Sequence, residues 1–240
     1  MSESTIQVDE QIGRQFVRYA KMLAARGYVH NTLGNMVIRT PHPDYVHGLA
    51  YTKHAEISLE EMEIENIVIT EVDSSKIVFG TKLTSIGHNL SREILRLRPD
   101  IQATIHVHDD SIIAWLGSNP ERGFPVLSLD PPFVLGKPVH CVPAHVDVEA
   151  DVSSVASFIA NTNAVVLVGH GVTTLGRNIS EAYHRLNTLT AEVKRCILAE
   201  QLAGQTGKRP HYREAAEIEA MYRYADRIIY PVSASDVMKD

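Results

Sequence analysis

Apolar residues recur at three- and four-residue spacings at the start of the chain and then give way to short β-branched runs, a pattern that predicts a helix followed by strands. Over residues 8–26, VDEQIGRQFVRYAKMLAAR, the residues Ile12, Phe16, Tyr19 and Leu23 share one helical face, and Gly27 supplies the stop. NTLGNMVIRT reads as a turn into a strand, and ENIVITEVD and SKIVFGTKL as short strands ended by polar residues or glycine. Helical spacing returns with Leu90, Ile94 and Leu97, and Pro99 ends it just before DIQATIHVHDDSIIAW, residues 100–115. NAVVLVGHGVTTLG is an apolar strand followed by a glycine-flanked histidine, and ISEAYHRLNTLTAEVKRCILAEQLAG is a long helix with Ser180 as its expected N-cap. Several strand connections are too short for crossover helices. The expected fold is therefore a three-layer α/β/α arrangement around a mixed, largely antiparallel sheet.

With no internal repeat and no linker-like tract, residues 1–240 read as a single domain. An apolar fraction of 44%, a charged fraction of 22% and a formal charge of -6 are those of an ordinary globular chain and argue against a nucleic-acid partner. No apolar run approaches the ~20 residues of a membrane span, and MSESTIQVDEQIGRQF lacks the basic-then-apolar order of a signal peptide. Cys141 and Cys196 have no Cys-x-x-Cys partner, which fits a reducing compartment, so a cytoplasmic protein is expected.

The chemistry is concentrated in the histidines. On a strand, His106 and His108 point to the same face while Val107 points to the opposite layer, and two adjacent imidazoles suit a metal ion. An apolar strand must either satisfy such rings or bind something with them, because an unpaired buried polar group costs about 1–3 kcal/mol. His170, between Gly169 and Gly171, offers a third ligand where missing side chains permit close approach. The alternative for His170 is a solvated residue on a capping turn.

Three segments, in order, resemble the class II aldolase/adducin family: NTLGNMVIR at 31–39, RLRPDIQATIHVHDD, and VVLVGHGVTTLGRNISEAYHR. That resemblance implies a class II aldolase-like domain in which His106, His108 and His170 bind one divalent ion, zinc or manganese in preference to iron. It also implies a homotetramer with active sites at subunit interfaces. An open three-histidine ion would act as a Lewis acid for negative charge that develops beside a carbonyl, which accommodates aldol cleavage, epimerisation and decarboxylation alike.

The chain departs from the family pattern in two places. Gly87 stands where the aldolases carry their catalytic glutamate, with Ser85 kept and Ile86 replacing a serine. In the phosphate pocket Gly34 and Asn35 match, but His54 and Ala55 replace a Thr-Gly pair. Missing hydroxyls disfavour a phosphate dianion, whereas Arg39, Lys53, His54 and His88 could meet a carboxylate. His88, beside the vacant acid position, is a candidate proton donor, with a water-facing residue near the helix start as the alternative. The leading expectation is a metal-dependent lyase that decarboxylates a non-phosphorylated hydroxy, oxo or hydroxylated aromatic acid. A sugar-phosphate aldolase or epimerase, a three-histidine iron oxygenase of an aromatic acid and a non-catalytic adducin-like module are the other readings. Tyr222, Tyr224 and Tyr230 are candidates to reach a neighbouring subunit's site, or else pack their own helix. Asp109 and Asp110 are candidates to orient a ligand imidazole, or to cap the next helix.

Overall fold

The structure, a computed structural model, describes residues 6–228 apart from Asn119. Helix α1, Glu10–Ala25, follows the predicted periodicity, and Asp9 caps it by accepting the N–H of Ile12. A hairpin of β1, Asn35–His42, and β2, Tyr45–Lys53, comes next. Strands β3, Ile67–Glu71, and β4, Ile77–Phe79, extend it. Helix α2, Gly87–Leu97, leads into β5, Ala103–Val107, then α3, Asp110–Ser118, and α4, Asp130–Leu135. The chain continues through β6, His140–Val142, β7, Ala164–Leu167, and β8, Gly171–Gly176. Helices α5, Ile179–Thr206, and α6, Ala215–Ile228, complete the described part.

The eight strands form one sheet in the order β4-β3-β2-β1-β5-β8-β7-β6, antiparallel at every pairing except the parallel β6–β7 edge. Alternation along the strands sends side chains into two apolar layers. Met36, Ile105 and Val107 join Phe16 and Leu23 of α1 and Leu186 and Val193 of α5 on one face, while Val37 and Leu175 join Leu90 and Ile94 of α2 on the other. The expected layers and largely antiparallel sheet are therefore present.

Two local expectations need correction. The cap of α5 is Asn178, whose side chain accepts the N–H of Glu181, so Ser180 lies inside the first turn. GVTTLG is a strand in its own right, pairing back on β7, because the short turn at 168–170 reverses the chain between them.

Candidate metal centre

The site sits where β5 meets its two neighbours. His106 lies directly across from Asn35 of β1 on one side and from Thr173 of β8 on the other, so all three project from the face that α2 covers. The His106 ring is 2% exposed. Its Nδ1 lies 3.0 Å from the Thr173 hydroxyl, and its Nε2 lies 3.1 Å from Nε2 of His108.

His170 arrives from the β7–β8 turn, held by its own N–H donating to the carbonyl of Leu167 at 2.9 Å. Flanking glycines make the approach possible. Gly169 has φ +77°, and a Cβ on Gly171 would stand 2.5 Å from the Val107 carbonyl and 3.3 Å from both the His106 and His108 rings. The three ring centroids are 4.7 to 5.2 Å apart. Among the described residues these three histidines form the group whose ligand atoms all lie within 4.8 Å of one another.

Electrostatics suit a cation. Burial, with the neighbouring imidazoles adding to it, pushes His106 well below the usual histidine range and His108 down to about 4, and burial also lowers His170. At neutral pH the rings are unprotonated and offer lone pairs. Two ring nitrogens 3.1 Å apart need either a proton or a metal between them. The donor set therefore fits a divalent transition-metal ion.

One residue of the site carries no sequence signal. Glu149, in the loop between β6 and β7, is 4% exposed, with its carboxylate oxygens 3.6 Å from His106 Nε2 and 3.8 Å from His170 Nε2. Burial, reinforced by nearby Asp147, raises its carboxyl to about 7. In HVDVEADVSS it is one acid among several, with no spacing that ties it to a histidine.

The remaining candidates divide. Gly34 packs against the backbone carbonyl of His106, and Asn35 is buried and accepts a hydrogen bond from Ser91 Oγ at 3.2 Å. Ser85 stands partly buried just before α2, its carbonyl accepting the N–H of His88. His54 is buried beside the strand segment at Thr84, with Nδ1 lacking a hydrogen-bond partner.

Arg39 and Lys53 leave the substrate-binding set. The Arg39 guanidinium donates to the carbonyls of Leu95, Arg98, Pro99 and Ile101 and to the Gln102 side chain, so it staples the α2–β5 connection. Lys53 is fully buried, donates to the carbonyls of Thr32 and Ile57 at 2.7 Å each, and is pushed down to about 8 by burial.

His88 leaves the catalytic set as well. It is 1% exposed, its Nε2 lies 2.8 Å from Thr70 Oγ1, and burial lowers it to about 3, so the ring is uncharged near neutrality and faces Thr70. Its depressed folded value sets a sign. Above the ordinary histidine value of about 6.5 its contribution to stability is complete, and below that value the unfolded chain takes up a proton that the folded chain refuses. The metal-free protein is expected to lose about 2 kcal/mol at this residue between pH 7 and pH 5. Denaturant midpoints at the two pH values check this, with His88→Gln expected to lose correspondingly less.

Asp109 and Asp110 do not orient the imidazoles. Asp109 accepts the N–H of Ile112 at 2.9 Å and the hydroxyl of Ser111, at the start of α3, while Asp110 lies 3.4 Å from His30 at the surface. The side chain within hydrogen-bond distance of His106 Nδ1 is Thr173, at 3.0 Å. Tyr224 is half exposed and edge-on to Phe133 of α4, and Tyr222 is partly buried, its phenol pushed up to about 12. Tyr230 lies outside the described residues.

Residues 14–194 match the model of the Class II Aldolase and Adducin N-terminal domain. The chain is 27% identical over 192 residues to an L-fuculose phosphate aldolase of Methanocaldococcus jannaschii, covering 77% of this chain and 95% of the relative. Its fold is similar to that of an L-fuculose 1-phosphate aldolase structure, with TM-score 0.74, 20% identity and coverage of 90% and 97%. It is also similar to YgbL of Escherichia coli, described as a putative aldolase/epimerase/decarboxylase, with TM-score 0.73, 19% identity and coverage of 90% and 100%. The chain belongs to the class II aldolase and adducin family, and its intact three-histidine cluster places it with that family's metal-dependent lyases.

Proposed function

We propose that the protein is a zinc- or manganese-dependent carbon–carbon lyase that removes CO₂ from a small non-phosphorylated hydroxy or oxo acid, hydroxylated aromatic acids included. The reading rests on the imidazole cluster together with three exposed apolar side chains on segments that neighbour one another. Leu33, Leu83 and Ile86 are 55%, 77% and 58% exposed. Their segments run side by side: the N–H of Ala55 donates to the Leu83 carbonyl, His54 bridges to Thr84, and Lys53 reaches the Thr32 carbonyl. Ile86 directly precedes Gly87, which packs on Asn35.

A phosphate dianion needs several convergent donors. Here Lys53 is committed to backbone carbonyls and Ile86 offers only hydrocarbon. An acid with an apolar or aromatic body suits such side chains better, with its carboxylate and adjacent oxygen directed at the histidines.

The bound ion would supply Lewis acidity for the charge that C–C cleavage leaves beside a carbonyl. His106, His108 and His170 would hold it through neutral rings, whose unprotonated state burial enforces. Thr173 fixes the His106 ring through Nδ1 and leaves Nε2 facing the cluster. The reading extends to a cytoplasmic homotetramer in which Tyr222, Tyr224 or Tyr230 of one subunit reaches its neighbour's site and supplies a proton.

Aldol cleavage of a sugar phosphate is the second reading, favoured by the names of the relatives. The two separate in a direct comparison of CO₂ release from hydroxylated aromatic and short oxo acids with aldol cleavage of sugar phosphates. Turnover of acids alone is the expected result. Turnover of sugar phosphates alone would overturn the proposal, and oxygen uptake by an iron-loaded protein would point to the oxygenase reading.

A further inference from the structure

Glu149 is a buried carboxylate in a loop, a placement that needs a cause. Its backbone is set by Asp147, whose side chain accepts the N–H groups of Glu149 and Ala150 at 3.0 Å each, and by Asn89 Nδ2 of α2, which donates to the Glu149 carbonyl at 3.3 Å. The loop is thus anchored on the α2 side of the sheet, and the side chain points inward.

There its Oε1 atom is buried without a hydrogen-bond partner, 3.6 Å from His106 Nε2, while Oε2 lies 3.8 Å from His170 Nε2. A buried carboxylate without a donor or cation is strongly disfavoured. A cation shared with the two facing ring nitrogens would relieve it.

The space it occupies exists because position 87 is glycine. A Cβ on Gly87 would stand 2.7 Å from Glu149 Oε1 and 2.6 Å from Asn35 Nδ2, both inside contact distance. Any side chain at 87 and the present carboxylate position are mutually exclusive.

We propose that Glu149 is a fourth protein ligand to the ion held by His106, His108 and His170, reaching it through the space that Gly87 leaves open. The inference rests on the metal-site reading above and adds an oxygen donor to it. Its carboxylate would cancel one of the ion's two positive charges, and an incoming acid would have to share or displace it. This makes the site selective for substrates that chelate through two oxygens.

The test uses the full-length protein and zinc alone. Chelator competition is expected to show Glu149→Gln binding zinc about ten- to a hundredfold more weakly than wild type. The metal-free variant is expected to be no less stable, because the buried charge is gone. A crystal structure of zinc-loaded wild type is expected to place a Glu149 oxygen about 2.0–2.2 Å from the ion. Equal zinc affinity of the two proteins, or an ion bound to three imidazoles with Glu149 beyond coordination distance, would overturn the fourth ligand and leave the three-histidine site standing. Failure of wild type to bind zinc or manganese at all would remove the metal reading itself.

Discussion

Replacing His106 by alanine is expected to strip the protein of its ion and its activity while the chain stays folded. His106 is the central ring: it is buried, anchored through Nδ1 to Thr173, 3.1 Å from His108 Nε2 and 3.6 Å from Glu149. Losing an outer-shell partner costs a metal site about ten- to a hundredfold in affinity, and losing the central one of three imidazoles costs at least the upper end of that range. If the ion provides about 4 kcal/mol of charge stabilisation in the transition state, turnover falls by roughly a thousandfold. Against metal-free wild type, stability falls by only about 1–2 kcal/mol, because the unpaired Thr173 hydroxyl and the small void are offset by relief of crowding among three buried imidazoles. Metal content per chain and thermal unfolding measured on the same preparation check both halves. His88→Gln is the control, expected to keep its ion, because His88 faces Thr70 and not the cluster.

Gly87→Glu is expected to damage the protein, and Glu149→Gly in the same chain is expected to repair part of that damage. The single substitution forces a Cβ to within 2.7 Å of the Glu149 carboxylate and adds a second negative charge to a buried site. Overpacking of this kind costs about 1–3 kcal/mol, before any like-charge repulsion is added. Removing the Glu149 side chain vacates the space and the charge together. The two substitutions should therefore be coupled by about 1–3 kcal/mol, well outside additivity. Denaturant unfolding of wild type, both single variants and the double variant measures the coupling directly, and additive effects would mean that the two positions do not share the space.

Much of the fold was legible because it is written in local periodicity. The faces of α1 and α2 follow from Phe16, Leu23, Leu90 and Ile94, and the sheet's antiparallel character follows from connections too short for helices. The histidine cluster was legible in part for a geometric reason: the period of two on β5 puts His106 and His108 on one face, whereas the glycines around His170 left a capping turn equally open and the resemblance to the family supplied the third ring. The charged residues were harder to assign. Arg39, Lys53 and His88 carry groups that could serve a substrate, and only their partners show them occupied with Leu95, Ile57 and Thr70. A chain that must reverse direction within its core needs buried donors for its turn carbonyls, and a sequence shows the donor without its target. Asp109 is a similar case, since a residue that follows a ligand strand also begins a helix. Glu149 could not be read at all. Its link to position 87 runs through space between a loop and a helix start, and its signal in the sequence is an absent side chain at Gly87 together with an unremarkable acid many residues away.

Turnover is expected to depend on one ion held by His106, His108 and His170. The most direct test is to strip the purified protein with a chelator, titrate zinc or manganese back, and follow bound metal and CO₂ release from an accepted hydroxy or oxo acid in the same samples. One ion bound per chain is expected, with activity lost on stripping and recovered in proportion to the ion restored. Turnover that persists in the stripped protein, or an ion that still binds after all three histidines are replaced, would contradict it.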